Sequence, residues 1–294
     1  MKKLSLALFA LLLIITSLSV AAGCASQGEV NMPIVLLTDF GSEDYRVPQL
    51  KGIIYNNNPD AVTIDASHDV PAFDIFAGAF ILDIAAKEFP ENMVFVAVIA
   101  PYAQTETKYL VLTTEKDQFF ILPDNGLLTY VAKNMGIKSI YQVTNQDLFS
   151  ETIDELSAER IQGTIGALIA SGYDPKDVGI TLSNPTTLGI QESAIAGDTL
   201  SGTVVYIDHF GNCITDISGT TANQFGVDPG DDIHVITPHS TIPARYGTIY
   251  SDVPVGEEIV FVNNNIDLFQ LSLNMDSFAA THNISTGMKI EIVK

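Results

Sequence analysis

The chain has 294 residues, of which 47% are apolar, so it can form one large or two modest domains with a substantial hydrophobic core. It carries 14 Lys and Arg residues against 35 Asp and Glu residues, a net charge of −21 at pH 7. Such a charge repels phosphate backbones and anionic headgroups, which argues against a nucleic-acid-binding protein. The two cysteines are too few for a disulfide framework or a cysteine-rich zinc site.

The first 24 residues have the layout of a lipoprotein signal peptide. Two lysines follow the first Met, an almost unbroken apolar run extends from Leu4 to Val20, and three small residues precede Cys24. An uncleaved membrane-spanning helix is the alternative, although the run is barely long enough for one. We therefore expect removal of residues 1–23, lipid on Cys24, a polar tether over residues 24–32, and an extracytoplasmic, membrane-anchored protein.

The next part of the chain alternates short apolar runs with helical patterns. Four runs are too apolar for an exposed antiparallel strand and suit strands buried on both faces: residues 34–37, 62–64, 94–99 and 119–122. Helices are predicted over residues 74–88, 127–135 and 161–171. Strands that alternate with helices predict an α/β domain with a largely parallel sheet, over residues 33–190.

After about Gly197 the pattern changes to short strands separated by Gly, Pro, Asn and Asp turns. The predicted strands are residues 201–207, 232–236, 258–263 and 288–293. One stretch, residues 266–275, has apolar residues at the spacing of a helix. This pattern predicts a second, smaller all-β domain over residues 198–294, either a barrel or a sandwich.

Polar residues follow the predicted strands at the positions where parallel sheets bind ligands. Asp39 comes directly after the first strand, where a carboxylate can accept two hydrogen bonds from a sugar diol. A turn or a helix cap is the alternative role for that carboxylate. In the β domain, Asp208, Phe210 and Asn212 combine a carboxylate, an aromatic face and an amide. This combination suits a nucleoside, although a polar hairpin would look similar.

Taken in order, these residues resemble the S-adenosylmethionine hydroxide adenosyltransferase family, which is related to fluorinating and chlorinating enzymes that act on the same substrate. The resemblance extends from Pro33 to Lys294 and rests on four segments: Thr38–Gly41, Asp65–His68, Pro123–Thr129 and Tyr206–Asn212. It implies a homotrimer whose sites lie between the N-terminal domain of one subunit and the β domain of the next. It also implies displacement at the 5′ carbon of S-adenosylmethionine, which releases methionine and forms adenosine.

The resemblance assigns binding of S-adenosylmethionine or an adenosine-type nucleoside to seven residues of this chain. They are Asp39, Phe40, Asp208, Phe210, Asn212, Asn264 and Ala279.

The chain departs from the family at the residues that activate water. The family's loop aspartate, arginine and histidine correspond to Ala100, Thr107 and Ser157, and Arg160 stands at an aspartate position. Two hypotheses follow: a hydrolase in which other groups position the water, or a lipid-anchored nucleoside-binding protein without chemistry. A structural surface lipoprotein with a decayed pocket is a third.

The histidines do not indicate a metal site. His68 is either a base in the pocket or a hydrogen-bonded structural residue, and the resemblance favours the structural role because the family does not use this histidine for water activation. The other four histidines lie in the predicted β domain without ligand spacing. We therefore expect no metal, no cofactor, no nucleic-acid partner, and contact with the membrane through the lipid anchor only.

Overall fold

The computed structural model of the protein describes residues 31–102, 107–189 and 192–294. The predicted signal peptide, Cys24 and most of the tether lie outside the described residues, so the lipid anchor stays a prediction. Within the described residues, no helix is both long and apolar enough to cross a membrane.

The sheet of the N-terminal domain has seven strands in the described residues. They are β1 (Ile34–Thr38), β2 (Thr63–Ser67), β3 (Val94–Val98), β4 (Tyr109–Thr114), β5 (Phe119–Pro123), β6 (Ile137–Val143) and β7 (Gly179–Thr181). Their spatial order is β2-β1-β3-β5-β4-β6-β7. The four strands predicted from the apolar runs are β1, β2, β3 and β5, and they pair in parallel, which confirms the predicted sheet. Three antiparallel strands, β4, β6 and β7, extend it.

Helices cover both faces of this sheet. They are α1 (Arg46–Asn57), α2 (Ile75–Glu88), α3 (Thr129–Met135) and α4 (Ala158–Ala170). Helices α1 and α4 pack on one face, and α2 and α3 pack on the other, so β1, β3 and β5 are buried on both sides. Residues 62–64 were expected in a strand of the same kind, but β2 lies at the end of the sheet and is only partly buried, with Val62 55% exposed. The sequence patterns predicted α2, α3 and α4. They missed α1, in which Pro48 occupies the first turn, where a helix tolerates a missing N–H.

The C-terminal domain is a closed barrel. Its strands are β8 (Ala194–Ala196), β9 (Thr199–Ile207), β10 (Cys213–Ser218), β11 (Asp232–Ile236), β12 (Thr241–Tyr246), β13 (Glu258–Asn263), β14 (Leu268–Leu273) and β15 (Lys289–Val293). Seven of them follow the order β10-β14-β13-β12-β11-β15-β9, and β9 pairs back with β10, which closes the ring. The structure therefore selects the barrel over the sandwich. Strand β8 pairs with β9 at the edge, and two short helices, α5 (Gly219–Phe225) and α6 (Phe278–His282), accompany the barrel.

The helix expected over residues 266–275 is wrong. The segment contains β14, which pairs with β13 on one side and with β10 on the other. Its residues from Phe269 to Leu273 are all buried, because one face points into the barrel and the other is covered. Within β14, Phe269, Leu271 and Leu273 alternate with Gln270 and Ser272, which is the spacing of a strand; the helical spacing arises only when the window is extended over the turn residues on either side.

The two domains are fixed to each other by specific contacts. The ring of Phe80 on α2 stacks on Tyr206 of β9, with centroids 5.0 Å apart and an interplanar angle of 15°. The hydroxyl of Thr286 donates a hydrogen bond of 2.7 Å to Oδ2 of Asp74, at the N-terminus of α2. These contacts set the position of the barrel relative to the carboxyl ends of the parallel strands.

Candidate ligand-binding site

The carboxylate of Asp39 holds two loops at the end of β1. Its Oδ2 atom accepts hydrogen bonds from the backbone N–H groups of Phe73 (3.0 Å) and Ala100 (3.2 Å). Both donors have a positive φ, 65° at Phe73 and 41° at Ala100. A left-handed backbone costs a non-glycine residue roughly 1–2 kcal/mol, so such a conformation needs support from its surroundings. Asp39 supplies that support by binding the N–H group of each strained residue.

The loop at Ala100 is also held from its other side. Nδ2 of Asn125 donates to the carbonyl oxygens of Ile99 (3.0 Å) and Ala100 (3.1 Å). Ala100 is 3% exposed, so its backbone is enclosed as well as bonded. The position is therefore tightly defined, but its methyl group brings neither charge nor hydrogen-bonding capacity.

The structure brings Ala100, Thr107 and Ser157 into one neighbourhood. Oγ1 of Thr107 donates to the carbonyl oxygen of Pro101 at 2.6 Å, which joins the two ends of this loop. Ser157 is the N-cap of α4, but its side chain makes no capping hydrogen bond. Instead, the N–H of Ala158 donates to the hydroxyl of Tyr102 at 3.1 Å. Tyr102 therefore connects the loop to α4, a role that its sequence context did not indicate.

Phe40 lies beside an ion pair that covers its ring. The guanidinium of Arg46 is 4.8 Å from the centroid of the Phe40 ring. The same guanidinium makes two hydrogen bonds to the carboxylate of Asp44, at 2.8 and 3.1 Å. Hydrogen bonds from Arg46 lower the pKa of Asp44 to about 2. One face of Phe40 is thus occupied by Arg46, and Phe40 also packs against the core between the sheet and α1.

The loop of residues 208–212 is closed by its own carboxylate. Oδ1 of Asp208 accepts from the backbone N–H groups of Phe210 and Asn212, both at 2.9 Å, and Oδ2 accepts from Nδ2 of Asn212 at 2.7 Å. Asn212 is buried, whereas the ring of Phe210 is 74% exposed. The carboxylate of Asp208 therefore shapes the loop, and the loop presents an aromatic face.

Helix α6 docks against this loop. The N–H of Ala279 donates to the carbonyl oxygen of Gly211 at 3.0 Å. Gly211 has a φ of 84°, and a Cβ atom there would lie 2.0 Å from Oγ of Ser277. Only glycine allows this approach, because any side chain would collide with the segment that leads into α6. The predicted residues Phe210, Asn212 and Ala279 therefore lie together.

A cavity of about 610 Å³ opens beside the loop. Aromatic, thioether and amide side chains surround it. Its lining residues are Phe210, Asn212, Tyr250, Leu273, Asn274, Met275, Asp276 and Ser277. An aromatic surface with amide groups at its edge suits a nucleobase, which stacks on its faces and forms hydrogen bonds at its rim. Tyr250 was not among the predicted residues, because nothing local in the sequence connects it with Phe210.

The remaining predicted residues lie elsewhere in the chain. Asn264 is exposed in the turn between β13 and β14, at the opposite end of that hairpin from Leu273. Phe40 lines a separate surface depression together with Asp44 and Asp69, which shares no lining residue with the Phe210 cavity. The seven predicted binding residues thus fall in three places within one chain, and their role stays a prediction.

His68 has the geometry of a structural residue. Its Nδ1 atom lies 2.9 Å from Oγ1 of Thr38, and its Nε2 atom lies 3.2 Å from Oδ1 of Asp65. The side chain is 7% exposed, so the ring ties β1 to β2 from a buried position. Cys213 is buried too, and burial raises the pKa of its thiol to about 12. In the described parts of the chain, no group of three His, Cys, Asp or Glu side chains is arranged to hold a metal ion.

Comparison with known proteins adds relatives along both domains. An (R)-S-adenosyl-L-methionine hydrolase from Methanocaldococcus jannaschii is 35% identical over 190 residues, which cover 63% of this chain and 66% of that protein. A fluorinase from Actinoplanes sp. is 24% identical over 302 residues, covering 90% of this chain and 98% of that protein. The crystal structure of an uncharacterized conserved protein from Thermotoga maritima superposes with a TM-score of 0.80 at 28% identity, over 89% of this chain and 100% of that chain.

Two family profiles match the chain itself. The profile of the SAM hydroxide adenosyltransferase N-terminal domain matches residues 34–179, which include the sheet edge with Asp39 and Ala100. The profile of the SAM hydroxide adenosyltransferase C-terminal domain matches residues 202–291, which include the loop and cavity at Phe210. Because these two matches cover most of the chain and follow one another in order, the chain belongs to the SAM hydroxide adenosyltransferase family.

Proposed function

We propose that this protein binds S-adenosylmethionine or adenosine and hydrolyses S-adenosylmethionine at no more than a trace rate. The observation that carries the proposal is the contrast between an aromatic and amide-lined cavity at Phe210 and an uncharged methyl group at Ala100. Relatives named as S-adenosylmethionine hydrolases and fluorinases support the ligand class.

A second copy of the chain completes the proposed site. Large apolar side chains are exposed at both halves: Phe73 is 79% exposed near Asp39, and Met275 is 83% exposed at the Phe210 cavity. Within one chain the depression beside Phe40 and the cavity at Phe210 share no lining residue, so we infer that the two halves meet on one ligand only across a subunit interface. A homotrimer would place the loops around Asp39 of one subunit against the barrel cavity of the next, and it would cover the exposed apolar surface.

The chemistry of hydrolysis explains the expected trace rate. The oxygen of water forms a bond to the 5′ carbon, the carbon–sulfur bond breaks with its electron pair going to sulfur, and the water proton leaves to solvent. The sulfonium departs as a neutral thioether, so the barrier lies in presenting an aligned, partly deprotonated water. Ala100 offers no base for that water, and the hydroxyl of Thr107 is engaged with Pro101. The neighbouring carboxylate of Asp39 has its Oδ2 atom engaged by two backbone N–H groups, so it is a poor base for the water.

The predicted location supports a binding role. S-adenosylmethionine is an intracellular metabolite, whereas a lipid on Cys24 would hold the folded part outside the membrane. An anchored nucleoside-binding protein fits that location better than a hydrolase does. Cys24→Ser should move the protein out of the membrane fraction or leave its precursor unprocessed. Unchanged fractionation together with unchanged precursor size would overturn the anchor.

Calorimetric titration of the full chain in detergent, with adenosine and with S-adenosylmethionine, tests the proposed function. Chromatography of the same mixtures measures adenosine formation. We expect binding without adenosine release, and weaker binding by Phe210→Ala but not by the matched control Tyr55→Ala, whose aromatic ring is exposed on α1. Absence of binding heat with both compounds would overturn the proposal. Robust adenosine formation would establish the hydrolase hypothesis in its place.

A further inference from the structure

Tyr250 is a rigidly mounted wall of the Phe210 cavity. It begins a short 3-10 helix, Tyr250–Asp252, whose start is held by the carboxylate of Asp252. Oδ2 of Asp252 accepts from the backbone N–H groups of Thr248 (2.7 Å) and Ile249 (3.2 Å). The ring of Phe261 meets the Tyr250 ring edge to face, with centroids 5.2 Å apart and an angle of 82°. The hydroxyl of Tyr250 therefore has a defined position.

A chain of amides determines the polarity of that hydroxyl. It starts at the backbone N–H of Asn265, which donates to Oδ1 of Asn263 at 3.0 Å. A backbone N–H can only donate, so the oxygen of the Asn263 amide must face it. The NH₂ group of Asn263 must then face the other way, and it donates to Oε1 of Gln270 at 2.8 Å.

Gln270 transmits this orientation to the cavity. With its oxygen committed to Asn263, its NH₂ group points to Tyr250 and Ser272 and donates to both hydroxyl oxygens at 2.8 Å. Gln270 is 2% exposed, so water cannot substitute for either partner. In the described part of the chain, the bond from Gln270 is the one hydrogen bond at the Tyr250 hydroxyl, and in it the tyrosine oxygen is the acceptor.

We propose that Gln270 is a specificity-determining residue that makes the Tyr250 hydroxyl a hydrogen-bond donor to a ring nitrogen of the bound nucleobase. The inference rests on the proposed binding of an adenosine-type ligand. Because Gln270 already donates to the tyrosine oxygen, the tyrosine proton must point away from Gln270, toward a ligand in the cavity that Tyr250 lines.

The ligand class follows from this polarity. Adenine carries unprotonated ring nitrogens, which accept hydrogen bonds, and a 6-amino group, which donates them. A donor at Tyr250 selects a purine edge with an unprotonated nitrogen and disfavours an edge that presents only N–H groups, since two donors would then face each other. A glutamate at position 270 would instead accept the tyrosine proton and leave Tyr250 with lone pairs alone.

Deaza analogues of adenosine test the proposal directly, because each replaces one ring nitrogen by C–H with little change of shape. Calorimetry on the full chain should compare adenosine with 1-deaza-, 3-deaza- and 7-deazaadenosine. We expect the wild type to bind one of the three about tenfold more weakly than adenosine, as expected for loss of one hydrogen bond in a cavity. Tyr250→Phe should bind adenosine and that analogue equally.

Substitutions of Gln270 and Ser272 show whether discrimination depends on the direction of the hydrogen bond to Tyr250 or only on packing around it. Gln270→Glu keeps the size of the side chain but reverses the bond, so it should abolish discrimination against the sensitive analogue although the tyrosine is still present. Ser272→Ala is the matched control, because it removes the other acceptor of the same NH₂ group and leaves the bond to Tyr250 intact. Discrimination in Ser272→Ala should equal that of the wild type. Thermal melting checks folding, and Tyr250→Phe decides the question if Gln270→Glu does not fold.

The outcomes distinguish failure of this inference from failure of the proposed function. Adenosine binding by the wild type with the same pattern over the analogues in wild type and Tyr250→Phe would overturn the donor role while binding stands. Preserved discrimination in Gln270→Glu would overturn the role of Gln270. No adenosine binding by the wild type would overturn the proposed function and this inference with it.

Discussion

The two halves of the candidate site are built by different means. At the carboxyl end of β1, the charged carboxylate of Asp39 stabilises a strained backbone at Phe73 and Ala100. At the barrel, neutral amides and a close glycine contact at Gly211 position an aromatic surface. The loop after β3 has a defined backbone without a charged side chain at position 100, whereas the barrel presents an aromatic ring and amide groups beside its cavity. The backbone of the loop at Ala100 is therefore held independently of the side chain at position 100.

The conformation of Ala100 illustrates this independence. A φ of 41° is uncommon for alanine, and aspartate or asparagine adopts such a backbone more readily. Asp39 and Asn125 nevertheless bind the N–H and C=O groups of this residue, so the loop does not rely on the side chain at position 100. The backbone at position 100 therefore already has a conformation that aspartate adopts.

The largest effect is expected when charged and basic side chains are introduced at positions 100, 107 and 157. The triple variant Ala100→Asp, Thr107→Arg and Ser157→His should raise adenosine formation from S-adenosylmethionine by about two to four orders of magnitude, because general bases contribute in that range. Single replacements should achieve much less, since such groups act as a unit. Chromatography of timed reactions measures the rate, with Ala100→Asn as the uncharged control. A triple variant that folds and binds but stays at the wild-type rate would show that more than charge is missing.

Substitution of one glycine in each half compares how tightly the two halves are packed. Gly211→Ala should lower the free energy of unfolding by about 2–4 kcal/mol, because it adds both backbone strain and a collision with Ser277. Gly41→Ala should cost only about 1–2 kcal/mol, because its φ is 89° but no atom lies within 4 Å of the added carbon. Denaturant unfolding measures both values. Equal losses would mean that the loop at Gly211 moves freely away from α6.

Substitution of Asp39 tests whether its carboxylate both stabilises the fold and binds the ligand. Asp39→Ala should destabilise the protein by about 1.5–3 kcal/mol, because two backbone donors lose a charged acceptor. Adenosine binding should weaken as well if the carboxylate contacts the ribose. Unfolding and calorimetry on the same variant separate the two roles, and Asp147→Ala at an exposed turn is the control. Unchanged unfolding would show that the strained loops do not need Asp39.

Substitution of Asp216 tests how much a partly buried carboxylate lowers the stability of the barrel. Burial raises the pKa of its carboxyl from 3.8 to about 6, although Oδ1 accepts from the N–H of Thr203 at 2.7 Å. The folded protein thus binds this proton more tightly than the unfolded chain does, so stability should decrease as pH rises from about 4 to about 6. Asp216→Asn should raise stability by about 1–2 kcal/mol at pH 7 and by less at pH 4. Thermal melting at both pH values measures the difference, which would contradict this account if it did not depend on pH.

The sequence by itself determined the parts whose signal is local. Strands buried on both faces must be apolar along their whole length, so β1, β3 and β5 were visible as uninterrupted runs, whereas β2 at the end of the sheet is only partly buried. The carboxylate of Asp208 makes its hydrogen bonds within five residues, so the sequence from Asp208 to Asn212 already contains this acceptor and its donors. The ordered set of short motifs also resembled the SAM hydroxide adenosyltransferase family, which the two family profiles confirm.

Only the tertiary structure decided what depends on distant partners. Asp39 binds N–H groups that lie 34 and 61 residues away, and no local pattern predicts positive φ at those positions. Strand β14 joins the barrel by pairing with β10, a partner that no local pattern specifies. The polarity of Tyr250 is set by Gln270, 20 residues further along the chain, through an amide chain that begins at a backbone N–H. Hydrogen-bond direction is a property of the assembled network, so it emerges only once the barrel has closed.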